Sequence, residues 1–330
     1  MNNDLQRRAR GCMMGLAIGD ALGGPTEGKS QEEIARRWGR VNDFLTDDQT
    51  GSDDTEYALF NSRLLFKHGT RMTAATVADE WKKEIVKASN TYKGAGFSEM
   101  MVVRNLKAGL LPPLSGQHLH AWSDGLAMRV APFGIVAAGR PDLAADLAET
   151  NGLVSNSGEG IFAGQAVAAA VAVAMRGSSV SAIVDAARKV IPPDSWTARG
   201  IDRAVAIASD CPDVWNALTP LYEQVVVKSY FWSDIAPEAV ALAFGIVVAS
   251  RGNFRDAVLG GVNVGRDTDT IAAIAGAITG AQEGIDAVPT AWIRRVSVSR
   301  GVCLEVVRGM DVMETADRLA ILALAREAQS

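Results

Sequence analysis

Eleven stretches of this 330-residue chain repeat one pattern: Ala, Leu, Val and Met at three- and four-residue spacing, with charges between them. That is the period of an α-helix facing a core. It predicts helices over 6–22, 56–68, 74–88, 143–151, 162–175, 180–190, 200–209, 236–251, 254–262, 270–282 and 315–328. Gly23-Gly24-Pro25, the segment 94–96, Pro112-Pro113, Pro192-Pro193 and Pro289 punctuate them. β-rich runs are short, as at 225–227, and an α/β fold would need strands repeated between the helices. Two stretches, AGQAVAAAVAVAM and IAAIAGAITGA, are built of small residues and are apolar on all sides. Helices of that kind pack closely in the middle of a bundle. Neither an internal repeat nor a low-complexity linker divides the chain, so the expectation is an all-α fold in a single domain over 1–330.

Composition removes several classes of function. Hydrophobic residues make up 48% of the chain and charged residues 22%, which is too apolar for a disordered protein. The most apolar stretch, 161–175, is interrupted by Gly164 and Gln165 and falls short of the roughly 18 uninterrupted apolar residues of a membrane span. A net charge of −5 without a Lys/Arg cluster offers little to nucleic acid or to an anionic membrane. Cys12, Cys211 and Cys303 stand far apart, with no CxxC or Cys/His pairing. The first residues lack the apolar core of a secretory signal. Both features fit a reducing cytoplasm.

The chemistry concentrates at two helix starts. Gly51-Ser52-Asp53-Asp54-Thr55 runs into EYALFNSRLLF, and Gly265-Arg266-Asp267-Thr268-Asp269-Thr270 runs into IAAIAGAITGA. Ser52 and Asp267 suit the N-cap position, and acids there favour the positive end of the helix dipole. Capping needs one short polar side chain, however, and Asp-Asp with Asp-x-Asp exceeds that requirement. Carboxylates and hydroxyls without imidazole or thiolate suit hard cations, Mg²⁺ or Mn²⁺, in preference to zinc. Two such clusters face to face could hold two ions about 4 Å apart, as in binuclear hydrolases.

Four motifs occur in order: Gly15-Leu16-Ala17-Ile18-Gly19-Asp20-Ala21-Leu22-Gly23 with Pro25 and Glu27; Ser52-Asp53-Asp54-Thr55; Ala127-Met128-Arg129 with Ala131-Pro132 and Gly134; and Asp267-Thr268-Asp269-Thr270-Ile271-Ala272-Ala273. From about Gly11 to Gly284 the chain resembles the ADP-ribosylglycohydrolases, a family that includes the dinitrogenase-reductase-activating glycohydrolases and the J1 crystallins. The resemblance implies an orthogonal multi-helix bundle around a central metal cleft. It implies two divalent cations, Mg²⁺ or Mn²⁺, held by Ser52, Asp53, Asp54, Asp267, Asp269 and Thr270, with Glu27 on a mobile loop able to reach a metal or the substrate. Glu27, Asp53, Asp54 and Asp269 are then the catalytic acids. The implied reaction is hydrolysis of a ribosyl or related glycosidic, chiefly N-glycosidic, bond. The metals would bind the ribose 2- and 3-hydroxyls and position a water, while carboxylates ease an oxocarbenium-like transition state.

Departures from the family pattern cluster where the leaving group would be read. Many members have Thr-His before the central apolar helix, where this chain has Ser155-Asn156-Ser157; Asn156 can bond a hydroxyl but cannot act as a base. Arg266 replaces a glycine and could either grip a substrate anion bidentately or neutralise the surplus of acid. The segment 89–99 sits where a Gly-rich diphosphate loop is expected, with Gly94 and Gly96 allowing close approach and Glu99 near a family acid that serves as general base. Ser123-Asp124-Gly125 resembles a ribose-contacting loop, with Asp124 where Asn is frequent. These changes point to a small ribosyl or sugar conjugate as substrate over ADP-ribosylated protein, with the oligomeric state open. His118 and His120 read as a solvated pair. Trp122, Tyr230, Phe231 and Trp232 are candidates for a stacking wall, with Phe231-Trp232 placed by preference in the core. The competing class is a non-catalytic, crystallin-like binder or structural protein, against which six retained ligands argue.

Overall fold

The first helix, Asn2–Gly23, carries glycine at every fourth position from Gly11 to Gly23, which puts a bare stripe along one face. In the computed structural model, which describes residues 2–87 and 96–328, that stripe lies antiparallel against the helix Thr268–Glu283. The approach is backbone to backbone. A Cβ on Gly11 would stand 2.2 Å from the Gly280 carbonyl oxygen, one on Gly15 2.1 Å from that of Gly276, and one on Gly19 2.2 Å from that of Ala272. Gly276 and Gly280 meet the first helix equally closely in return. The seam has a consequence for chemistry. It brings the C-terminal end of the first helix, with Asp20, onto the Asp267–Thr270 start of its partner.

Gly15→Ala tests the seam. Alanine gains about 1 kcal/mol of intrinsic helix propensity, but the new methyl cannot be accommodated without parting two backbones, an overpacking cost of about 3 kcal/mol. We expect a net loss of about 2 kcal/mol in denaturant unfolding. Unchanged or raised stability would mean that the two helices are not in this contact.

Around the seam the described residues form sixteen α-helices and no strand, with only isolated bridges such as Lys29 to Arg266 and Ser123 to Ile235. The all-helical expectation holds, and the two small-residue stretches, in helices Glu159–Ala174 and Thr268–Glu283, are almost wholly buried. Helix Ala236–Ala249 is buried on every side as well. No described helix is long and apolar enough to cross a membrane.

Five helices escaped the periodicity reading: Gln31–Trp38, Phe97–Lys107, Ala131–Val136, Val214–Val225 and Thr290–Val296. Two of them, Ala131–Val136 and Thr290–Val296, are shorter than two turns, and Val214–Val225 contains Pro220. The apparent β-run at 225–227 is the end of that helix and the turn after it. The stretch beginning at Ala74 is α-helical to Glu80, continues as a π-helical turn over Trp81–Val86, and then leaves the described residues before Ala88.

Candidate functional site

Asp20 organises the first acidic motif from outside it. Its carboxylate accepts bonds from the Ser52 amide (2.7 Å to Oδ2), the Ser52 hydroxyl (2.7 Å to Oδ1) and the Thr55 amide (3.0 Å). The free N–H groups at the start of helix Asp53–His68 are thus satisfied by a side chain from another helix. Ser52 occupies the N-cap position, yet its side chain caps nothing; it donates to Asp20 instead. Asp267 likewise stands at the N-cap of its helix without a capping bond. The capping role expected of Ser52 and Asp267 is therefore not what their side chains do. At the first of these helix starts Asp20 has taken over the task, and the acids of both starts are left to the cleft.

The cleft has a volume of about 660 Å³. Eight carboxylates line it: Asp20, Glu27, Asp53, Asp54, Asp124, Asp234, Asp267 and Asp269, with no Lys, Arg or His among the described lining residues. Ligand atoms of Asp20, Asp54 and Asp269 lie within 4.8 Å of one another, as do those of Glu27, Asp267 and Asp269. The two triads share Asp269. Of the expected site residues, Ser52, Gly96, Ser123, Gly125 and Thr270 also line the cleft. Asp53 sits to one side of both triads and accepts the Gly96 amide at 3.1 Å. Glu27 is held at the mouth by backbone pairing of its loop with Arg266, and Gly28 donates to the Arg266 carbonyl at 2.9 Å.

Burial on this scale is costly for charge. It pushes Asp54, Asp124, Asp267 and Asp269 well above the usual carboxylate range, and neighbouring carboxylates push them further. Asp53 is pushed up to about 8 by the same burial, then by Asp20 and Glu99. The Asp54 Oδ1 and Asp124 Oδ2 atoms are buried without a hydrogen-bond partner. Unpartnered oxygens, an all-oxygen donor set and no balancing cation in the lining are what a divalent-ion site requires.

Three expected substrate contacts are turned inward. Glu99 is fully buried and forms an ion pair with Arg129, itself fully buried, while its other oxygen accepts from Ser98 at 2.8 Å. A carboxylate so engaged is not a free base, and it is the reason Gly125 must be glycine: a Cβ there would stand 2.4 Å from Glu99 Oε1. Asn156 is buried behind the wall, donating to the carbonyls of Ala121 and Ser123 at 3.2 and 3.1 Å. Arg266 is not among the lining residues; its guanidinium is taken up by Glu238 at 2.6 Å and the Trp232 carbonyl at 2.7 Å. With Asn156 and Arg266 both engaged inside the protein, the case for a small conjugate over ADP-ribosylated protein loses two of its supports. Gly94 lies outside the described residues.

The aromatic residues also fall differently from expectation. Phe231 is 90% exposed rather than packed in the core, and with Phe97 and Trp232 it lines the cleft. His120 stacks on Phe97 with centroids 4.8 Å apart, and His118 bonds the Ser155 carbonyl at 2.9 Å, so neither is simply solvated. Sequence reasoning missed Asp20 and Asp234. Asp20 lay within a quoted motif but on an apolar helix, and no spacing rule marks Asp234. Burial pushes Asp234 up to about 6, with Glu99 and Glu27 adding to the effect.

A family model described as ADP-ribosylglycohydrolase matches residues 1–329. An uncharacterized protein of Archaeoglobus fulgidus is 31% identical over 300 residues, spanning 88% of this chain and 91% of that protein. The ADP-ribosylarginine hydrolase Tri1 of Pseudomonas putida is 26% identical, over 89% of this chain and 76% of its own length. Among solved structures, an ADP-ribosylglycohydrolase-related protein complex superposes with a TM-score of 0.68 at 23% identity, covering 98% of this chain and 99% of that one.

Proposed function

The chain belongs to the ADP-ribosylglycohydrolase family, and from that premise we propose that 1–330 acts as one helical domain hydrolysing the N-glycosidic bond of a ribosyl conjugate with the help of divalent cations. The observation that carries the reading is the pair of acid triads sharing Asp269, in a cleft whose other carboxylates have no cation to balance them. An ADP-ribosyl adduct is the substrate class closest to what the Pseudomonas relative's name states, and a smaller ribosyl conjugate is the alternative within the same chemistry.

Asp54, Asp267 and Asp269 are the proposed metal ligands, with Glu27 closing the second triad and Ser52, Asp53 and Thr270 beside them. Two Mg²⁺ or Mn²⁺ ions bound there would supply Lewis-acid polarisation and fix the sugar hydroxyls. Asp20 completes the first triad and also positions the helix start beside it, since its two oxygens accept from Ser52 and Thr55. Asp53 lies outside both triads and is the carboxylate placed to take the proton from an attacking water. As water adds to the anomeric carbon and the C–N bond breaks, positive charge gathers on the sugar ring, and the acidic lining stabilises it. The departing nitrogen takes up the proton that Asp53 removed from the water, so that water is divided between the sugar and the leaving group.

A crystallin-like binding role gains nothing from eight clustered acids that burial disfavours. The test is a panel of ADP-ribosyl-arginine, phosphoribosyl-arginine and free nucleosides incubated with Mn²⁺-supplied protein, with released sugar followed by chromatography. Release of free arginine from one of the first two is expected. Release from nucleosides alone would move the substrate class, and release from none would favour the non-catalytic role.

A further inference from the structure

Arg266 touches three walls of the cleft at once. Its backbone pairs with the Glu27 loop: its amide donates to the Lys29 carbonyl at 2.8 Å, and its carbonyl accepts from Gly28 at 2.9 Å. It immediately precedes the Asp267–Thr270 acids. Its guanidinium crosses to the loop before helix Ala236–Ala249, bonding the Trp232 carbonyl at 2.7 Å and Glu238 Oε1 at 2.6 Å. Glu238 is buried, and its other oxygen accepts the Val227 amide at 2.6 Å. The pair therefore grips the loop at 227 and at 232. Across the loop, 122–124 is held to 234–236 by Asp124 N to Asp234 O at 3.2 Å and Ala236 N to Trp122 O at 3.2 Å.

What the grip presents is a run of rings. Tyr230 packs edge-on against Trp122 at 5.1 Å, and Trp232 meets both Phe97 and His120 at 6.0 Å. Phe231 projects into solvent at the cleft mouth. Phe231 meets Trp232 edge-on at 6.1 Å and otherwise stands open to solvent, and an exposed aromatic on a pinned loop beside an acidic pocket is a stacking surface. Arg266 holds φ +71°, a backbone conformation that residues other than glycine adopt infrequently.

We propose that Arg266 is a positioning residue that fixes the loop 227–235 as an aromatic wall, so that the cleft selects conjugates carrying a planar aromatic group beyond the sugar. This rests on the glycosidic-hydrolase reading above for what lies at the other end of the cleft.

Arg266→Gly isolates the side chain, since glycine adopts φ +71° freely. Hydrogen exchange of amides 227–235 should quicken by about tenfold or more, with the helix Thr268–Glu283 unchanged. The ratio of kcat/KM for ADP-ribosyl-arginine over phosphoribosyl-arginine, which share one scissile bond, should fall by about tenfold, mainly through KM for the aromatic substrate. Arg266→Lys keeps the pair with Glu238 but not the fork reaching Trp232, and should fall between. An unchanged substrate ratio or unchanged exchange in Arg266→Gly would overturn the proposal. If wild type cleaves neither substrate, the hydrolase reading has failed on its own, and AMP binding followed by tryptophan fluorescence decides the wall. Weaker AMP binding in Arg266→Gly supports it; equal binding, or none in wild type, overturns it.

Discussion

Asp269→Asn should reduce turnover by at least about a thousandfold and, in chelator-treated protein, raise the melting temperature. Asp269 is the one residue common to both triads. Its neutral amide keeps nearly the same shape, and its oxygen can still accept the Thr270 amide that Asp269 Oδ1 holds at 3.0 Å. The local fold is thereby retained while a shared ligand is lost. Without metal, Asp269 is a buried acid pushed upward by burial and then by Asp267 and Glu27. Asparagine does not carry the cost of burying an ionisable acid among other acids, so the variant should be the more stable apoprotein and the dead enzyme. Calorimetry and a turnover assay on one preparation read both effects. A strongly destabilised Asp269→Asn would instead assign the residue to holding the helix start.

The second large effect is on stability against pH. Asp53 stands at about 8 in the folded chain, against about 3.9 for an unfolded aspartate. The folded state therefore binds more protons between those values, and stability falls as pH rises through that window. With part of the effect screened because Asp53 is only half-buried, the chelated protein should lose on the order of 3 kcal/mol between pH 5 and pH 8.5. The buried Asp54 and Asp267 shift the same way and add to the loss. Mn²⁺ should reverse the trend, because binding requires the deprotonated acids and grows tighter as pH rises. At a hundred times its Kd, one site contributes about 2.7 kcal/mol. Denaturant unfolding at four pH values, with and without Mn²⁺, gives the comparison. Apoprotein more stable at pH 8.5 than at pH 5 would show that these acids are not crowded as described.

What the sequence could disclose follows from which forces act locally. Apolar spacing in helices such as 254–262 and 270–282 is a local property, and these helices formed close to where the period put them. The Asp53-Asp54 and Asp267-x-Asp269 pairs were legible because two acids at a helix start exceed what a cap needs. Side-chain direction was not legible. Glu99, Asn156 and Arg266 sit close to the site in sequence, but each meets a buried partner from elsewhere: Arg129, the 121–123 carbonyls and Glu238. Asp20 was hidden for the opposite reason. Its role exists only because Gly15 and Gly19 let two helices touch at their backbones, a contact about 250 residues apart in the chain. The fourfold glycine spacing from Gly11 to Gly23 was the available clue. Phe231 is apolar enough for a core, whereas its loop keeps it at the surface.

The most direct test is titration of chelator-treated protein with Mn²⁺ while free arginine released from ADP-ribosyl-arginine is measured. The expected curve starts at no detectable turnover and reaches its plateau at two equivalents per chain, as one ion in each of the two triads joined through Asp269 would give. Full turnover in the presence of chelator, or saturated Mn²⁺ binding with no glycosidic cleavage, would contradict the account.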